Sequence, residues 1–150
     1  MDKKMRGDAL LQALVNTPVA DNKARLETLF LDFLAEATFG QNRYPNSPEV
    51  LTSGISDRAV RLGLFCSARD MDDVDWIVLS HPGSIIWAVA VSIGVEKKLS
   101  LEEIFDAAAL GYRTGATIAN FFGKGHRAKW HATSTSGAFA ATTTAAVALG

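Results

Sequence analysis

The sequence predicts an all-α protein, an orthogonal multi-helix bundle, and three observations carry that reading. Apolar residues recur at helical spacings of three and four. No run alternates apolar and polar residues as a half-buried strand would. Serine, aspartate, proline and glycine fall where helices start and stop.

The elements follow in order. Residues 9–14 form a short amphipathic helix that ends near Pro18, where the missing N–H forbids continuation. A second helix spans residues 22–39, with Asp21 as its cap. Leu26, Leu29, Phe30, Phe33, Leu34 and Ala37 make its buried stripe, and Gly40 closes it. Residues 41–54 carry two prolines and no periodicity, so they read as a loop. Ser56 caps a third helix containing Ala59, Val60, Leu64 and Phe65.

An acidic loop comes next, followed by an apolar helix over residues 84–95 with Ser84 as its cap. Ser100-Leu101-Glu102-Glu103 is a capping box that opens a helix carrying Ile104, Phe105, Ala108, Leu110, Tyr112, Ile118, Phe121 and Phe122. Gly111 and Gly115, four apart, permit close approach of a neighbouring helix, and Gly123 with Gly125 break this one. Residues 137–150 are almost wholly alanine, threonine and glycine. A helix so poor in large side chains lies deep between others at close backbone distance, with something further to cover its end.

Residues 1–150 are read as one domain, large enough to bury a sizeable core. The chain is 48% apolar and 21% charged, which fits a folded globular protein. A net charge of −1 gives no general attraction to nucleic acid or an anionic membrane. One cysteine, Cys66, excludes an internal disulfide and sits among apolar neighbours, as a buried inert thiol would. The charged N-terminus lacks the apolar run of a signal peptide, and the apolar run at 85–95 is too short to span a membrane. The expected location is cytoplasmic.

Two loops carry the chemistry. The first is Asp70-Met71-Asp72-Asp73-Val74-Asp75, joined by a short apolar bridge to Ser80-His81-Pro82-Gly83-Ser84. Pro82 disfavours helix at His81, which places the imidazole on a loop. Carboxylates and a histidine at a loop-to-helix junction suit proton transfer or anion binding, and equally an acidic surface loop followed by a cap. The run is not an EF-hand, since Val74 and Asp75 fill its fifth and sixth positions. It also misses the Asp-Asp-x-x-Asp pattern of terpene cyclases, because Trp76 stands where an acid is needed.

The second loop runs from Lys124 through Lys129 to His131. Its charge suits an anionic substrate such as a carboxylate, or simply a solvated loop. His131-Ala132-Thr133-Ser134-Thr135-Ser136-Gly137 then puts a histidine and four hydroxyls at a helix start, more than one cap needs. His126 and His131 are five apart, which is not the spacing of a helical zinc pair.

Together these segments resemble the MmgE/PrpD family, which includes 2-methylcitrate dehydratase, cis-aconitate decarboxylase and iminodisuccinate epimerase. The acidic run is similar to that family's Asp-aromatic-Asp-Asp-Thr-His, Ser80-His81-Pro82-Gly83-Ser84 to its Thr-His-Pro-Gly/Ser, and residues 131–139 to its His-x-Thr-x-Thr-x-Gly-x-Phe. Leu31-Asp32-Phe33-Leu34-Ala35 resembles its Leu-Asp-x-Leu-Ala helix. The resemblance implies a helical domain whose loops build a pocket for a small carboxylated substrate, with no metal and no organic cofactor. It also implies that Asp70, His81 and His131 are the acid, base and anion-binding groups, with no assignment among them. Asp73, Asp75, Thr133 and Thr135 in the matching segments, with Lys124 and Lys129, are the expected substrate contacts.

Met71, Val74 and Asp75 depart from the family pattern. Family members are also much longer, with a later lysine-histidine-glycine segment and a second domain covering the site. The leading expectation is therefore one subunit of a split lyase or isomerase, with a second chain supplying the remainder. The alternatives are a non-catalytic interaction subunit that kept the fold, and a small enzyme that works as a homo-oligomer.

Overall fold

The computed structural model describes residues 23–44 and 54–150. They form α1 (Lys23–Arg43), α2 (Ile55–Cys66), a 3-10 turn (Ser67–Arg69), α3 (Gly83–Lys97), α4 (Leu101–Arg127) and α5 (Ala132–Leu149). The all-α class holds: the extended pairing among the described residues is one antiparallel bridge, Asp75 to Ser80. No helix is long and apolar enough to cross a membrane among the described residues. The expected helix at 9–14 and the Asp21 cap lie outside the described residues.

Helix α3 is the axis of the core. It is apolar all round, as a helix enclosed on several sides must be, and Ile86, Trp87, Ala88 and Ala90 are buried along it. The Trp87 ring meets Phe30 of α1 at 5.1 Å and Phe105 of α4 at 5.6 Å between centroids. Phe33, Phe65, Cys66 and Ile104 belong to the same cluster. Each such large side chain contributes roughly 1.5–3 kcal/mol by leaving water. Burial, with a smaller push from the Asp72 charge, drives the Cys66 thiol far above its usual range and leaves it inert, as expected.

The capping box forms as expected: Glu103 N–H donates to Ser100 Oγ at 3.3 Å, and Ser100 N–H donates to Glu103 Oε2 at 2.7 Å. Gly111 and Gly115 also act as expected. A Cβ on Gly111 would overlap Thr144 Oγ1, and one on Gly115 would crowd Ala140, so α5 lies directly on α4.

Several boundaries differ from the expectation. Gly40 does not close α1, which continues to Arg43; it is glycine because a Cβ there would overlap the Phe65 carbonyl. The third helix is capped by Gly54 rather than Ser56, with no side-chain bond. Ser84 lies inside α3, whose cap is Pro82; its Oγ donates to the His81 carbonyl at 3.2 Å. Proline at the turn's start loses nothing, because its absent N–H would have had no helical partner. Gly123 does break the helical dihedrals (φ 70°, ψ −174°), yet the chain resumes helix through Gly125 to Arg127. Helix α5 is buried on one face only: Ser136, Ala140, Thr144 and Ala148 face inward, while Phe139, Val147 and Leu149 are exposed.

Candidate functional site

The segment from Asp70 to Pro82 crosses between α2 and α3 as a folded loop. Asp70 ends the 3-10 turn in the left-handed region (φ 56°, ψ 36°), which aspartate tolerates better than most residues. The chain then tightens between Asp75 and Ser80. Asp75 Oδ1 accepts the N–H groups of Ile77 at 2.9 Å and Val78 at 3.3 Å, the pattern by which aspartate builds a turn. Val78 is thereby turned inward, while Trp76 and Ile77 stand 79% and 76% exposed. Leu79 has φ 54°, a strained value for a bulky side chain. Arg127 Nη1 reaches back from the end of α4 to donate to the Ile77 carbonyl at 2.7 Å.

Asp73 anchors this loop. Its Oδ1 accepts Gly83 N–H at 2.7 Å, and its Oδ2 accepts the Tyr112 hydroxyl at 2.8 Å. One carboxylate thus ties the start of α3 to the middle of α4. Burial raises the Asp73 carboxyl above its ordinary range; the two hydrogen bonds oppose this, and the Asp72 charge adds to it. Gly83 has no room for a side chain, because a Cβ would meet the Asp73 carboxylate.

A second clamp brings the two sequence motifs together. His81 N–H donates to Thr133 Oγ1 at 2.9 Å, which fixes the loop to the first turn of α5. Asp70, Asp72, His81, His131, Thr133 and Ser134 then share one groove of about 520 Å³. The His81 ring lies between two carboxylates: Nδ1 is 3.3 Å from Asp72 Oδ1, and Nε2 is 3.9 Å from Asp70 Oδ1. Asp70 is 90% exposed and Asp72 is 3% exposed. Neither oxygen of Asp72, nor His81 Nδ1, has a hydrogen-bond partner among the described residues.

On the other side of the loop is a larger cavity of about 930 Å³, to which Asp73, Asp75, Arg25, Arg113, Trp76 and Thr133 contribute. Thr133 belongs to both spaces. Arg113 Nε is buried there without a hydrogen-bond partner among the described residues. A guanidinium so placed suits a carboxylate.

Of the residues expected at a site, Asp70, His81, His131 and Thr133 converge on the groove. Asp73 and Asp75 border the cavity, but their carboxylates are engaged in holding the loop. Thr135 turns away: its hydroxyl lies 2.9 Å from His126 Nε2 and donates back to the His131 carbonyl at 3.2 Å. Lys124 and Lys129 are exposed and line neither space. The sequence reading did not single out Asp72 or Arg113. Arg113 had a signal, since it is a lone cation within the small, apolar stretch around Gly111 and Gly115. Asp72 had only its place in an acidic run.

The chain matches no protein-family model, no curated protein and no solved structure.

Proposed function

We propose that this chain is one subunit of a lyase or isomerase of the MmgE/PrpD type, acting on a small carboxylated substrate by moving a proton next to a carboxylate. The observation that carries the reading is the convergence of His81 and His131, from motifs far apart in sequence, on one groove held by the Thr133 clamp. Two imidazoles facing one space can take a proton from one position and return it at another near neutral pH. Asp70, on the rim of that groove, is the third group of the set. Arg113, in the adjoining cavity, is the residue to hold a substrate carboxylate. The bundle would be orthogonal, like the family's helical domain. A second protein chain would cover the outer face of α5, where Phe139, Val147 and Leu149 are exposed, and the protruding Trp76 and Ile77.

A non-catalytic subunit is the second reading, and Asp75 favours it. That position holds a histidine in the family pattern, whereas here its carboxylate closes a turn.

The test is exchange of substrate α-protons in D2O, followed by NMR over a panel of small carboxylates, using the chain with whatever partner co-purifies from its source. His81→Ala and His131→Ala should each slow exchange by about a hundredfold or more, with helical circular dichroism unchanged. Exchange that is indifferent to both substitutions would leave the non-catalytic reading.

A further inference from the structure

The groove contains a group that proton transfer does not require. Asp72 is buried and both of its carboxylate oxygens lack a hydrogen-bond donor among the described residues. A buried carboxylate is strongly disfavoured without a compensating charge or donors. His81 alone compensates poorly: its Nδ1 lies 3.3 Å from one oxygen without hydrogen-bond alignment, and it leaves the other oxygen unserved.

What surrounds Asp72 fits a cation better. One donor atom each from Asp70, Asp72 and His81 lies within 4.8 Å of the others. A metal ion about 2.1 Å from each donor holds its ligands at separations of about 3–4 Å, so small side-chain rotations suffice to close the shell. Asp70 is at the rim and can swing, while Asp72 and His81 are fixed by burial and by the Thr133 clamp. We propose that Asp70, Asp72 and His81 bind a divalent cation, with Zn2+ or Mn2+ the chemical class. Two carboxylates and one imidazole make a mixed donor set that suits these ions better than the all-oxygen shells preferred by Mg2+ and Ca2+. Three protein ligands leave coordination positions open toward His131 and Thr133, where the groove lies.

The site departs from the metal-free expectation because its ligands are joined by the loop's fold rather than by a recognisable spacing. An ion there takes Asp70 and His81 out of the proposed proton transfer and leaves His131 to it, so the site is read by binding rather than turnover. ZnCl2 and MnCl2 are titrated calorimetrically into the full chain after chelator treatment. One ion per chain is expected, with Asp72→Asn and His81→Gln each weakening binding about tenfold or more. Asp70→Asn, at an exposed position that cannot threaten the fold, should weaken it as well, whereas His126→Gln should not. A folded chain that takes up neither ion, or one whose affinity survives all three ligand substitutions, overturns the site. Exchange of α-protons by a chain that binds no ion would overturn the cation site alone. Ion uptake without exchange would leave it standing and count against the proton-transfer reading.

Discussion

Asp72 and Asp73 are neighbours in the chain, carry the same carboxylate and are both withdrawn from water, yet they live in opposite circumstances. Asp73 points toward α4 and meets a hydroxyl and a backbone amide at hydrogen-bond distance. Asp72 points into the groove beside His81 and meets no donor in good geometry. The difference separates scaffold from site. A buried charge with its donors in place holds a fold together, whereas one without them is kept at the fold's expense and is available to a ligand.

The largest effect should come from removing the satisfied member. Asp73→Ala leaves the Tyr112 hydroxyl and the Gly83 N–H without their acceptor, and should cost about 3 kcal/mol in denaturant unfolding. Asp73→Asn keeps the shape and tests the charge. Burial raises the folded carboxyl above its ordinary range, so its proton is held more tightly in the native state. The stability from that proton is fully present below the unfolded value and is lost as pH rises through the raised folded one. Unfolding curves from pH 4 upward should therefore fall more steeply for the native chain than for Asp73→Asn. Parallel curves would mean that the two hydrogen bonds balance burial, and a native curve that rises with pH that they outweigh it.

The unsatisfied member should behave differently. In chelator, Asp72→Asn alters a buried side chain whose two carboxylate oxygens have no hydrogen-bond donor among the described residues. Its effect on unfolding should stay within about 1 kcal/mol, on the stabilising side. A loss as large as that of Asp73→Ala would erase the distinction and make Asp72 a second structural post.

How far the sequence discloses such differences depends on range. The capping box at Ser100 and Glu103 is legible because both partners lie within one helical turn. The Gly111 and Gly115 pair is legible because small residues four apart make one face of a helix. Gly40 is not, since its reason is the Phe65 backbone on another helix. Ser84 reads as a cap from its neighbours, but Pro82 already supplies the first turn, and the hydroxyl bonds back to the His81 carbonyl instead. His81 and His131 each stand out within their own segments. Their meeting depends on one hydrogen bond between His81 and Thr133 that no spacing announces. Asp72 and Asp73 are identical in type and adjacent in place, so only the fold tells them apart.

The smallest effect concerns charges that composition makes prominent. Lys124 and Lys129 stand out as a basic pair beside a histidine, yet both are exposed at the end of α4 and line neither the groove nor the cavity. Their charges are screened by water and salt, and a carboxylate held in either space would lie out of contact with them. Replacing both with alanine should change stability by no more than about 0.5 kcal/mol and leave the proposed α-proton exchange unaltered. Arg113→Gln is the informative partner to that experiment. It removes the guanidinium whose Nε is buried and unpartnered among the described residues, and should raise the substrate concentration needed for half-maximal exchange. If the lysines mattered and Arg113 did not, the substrate carboxylate would sit at the end of α4 rather than in the cavity. The larger cavity would then have no part in the reaction.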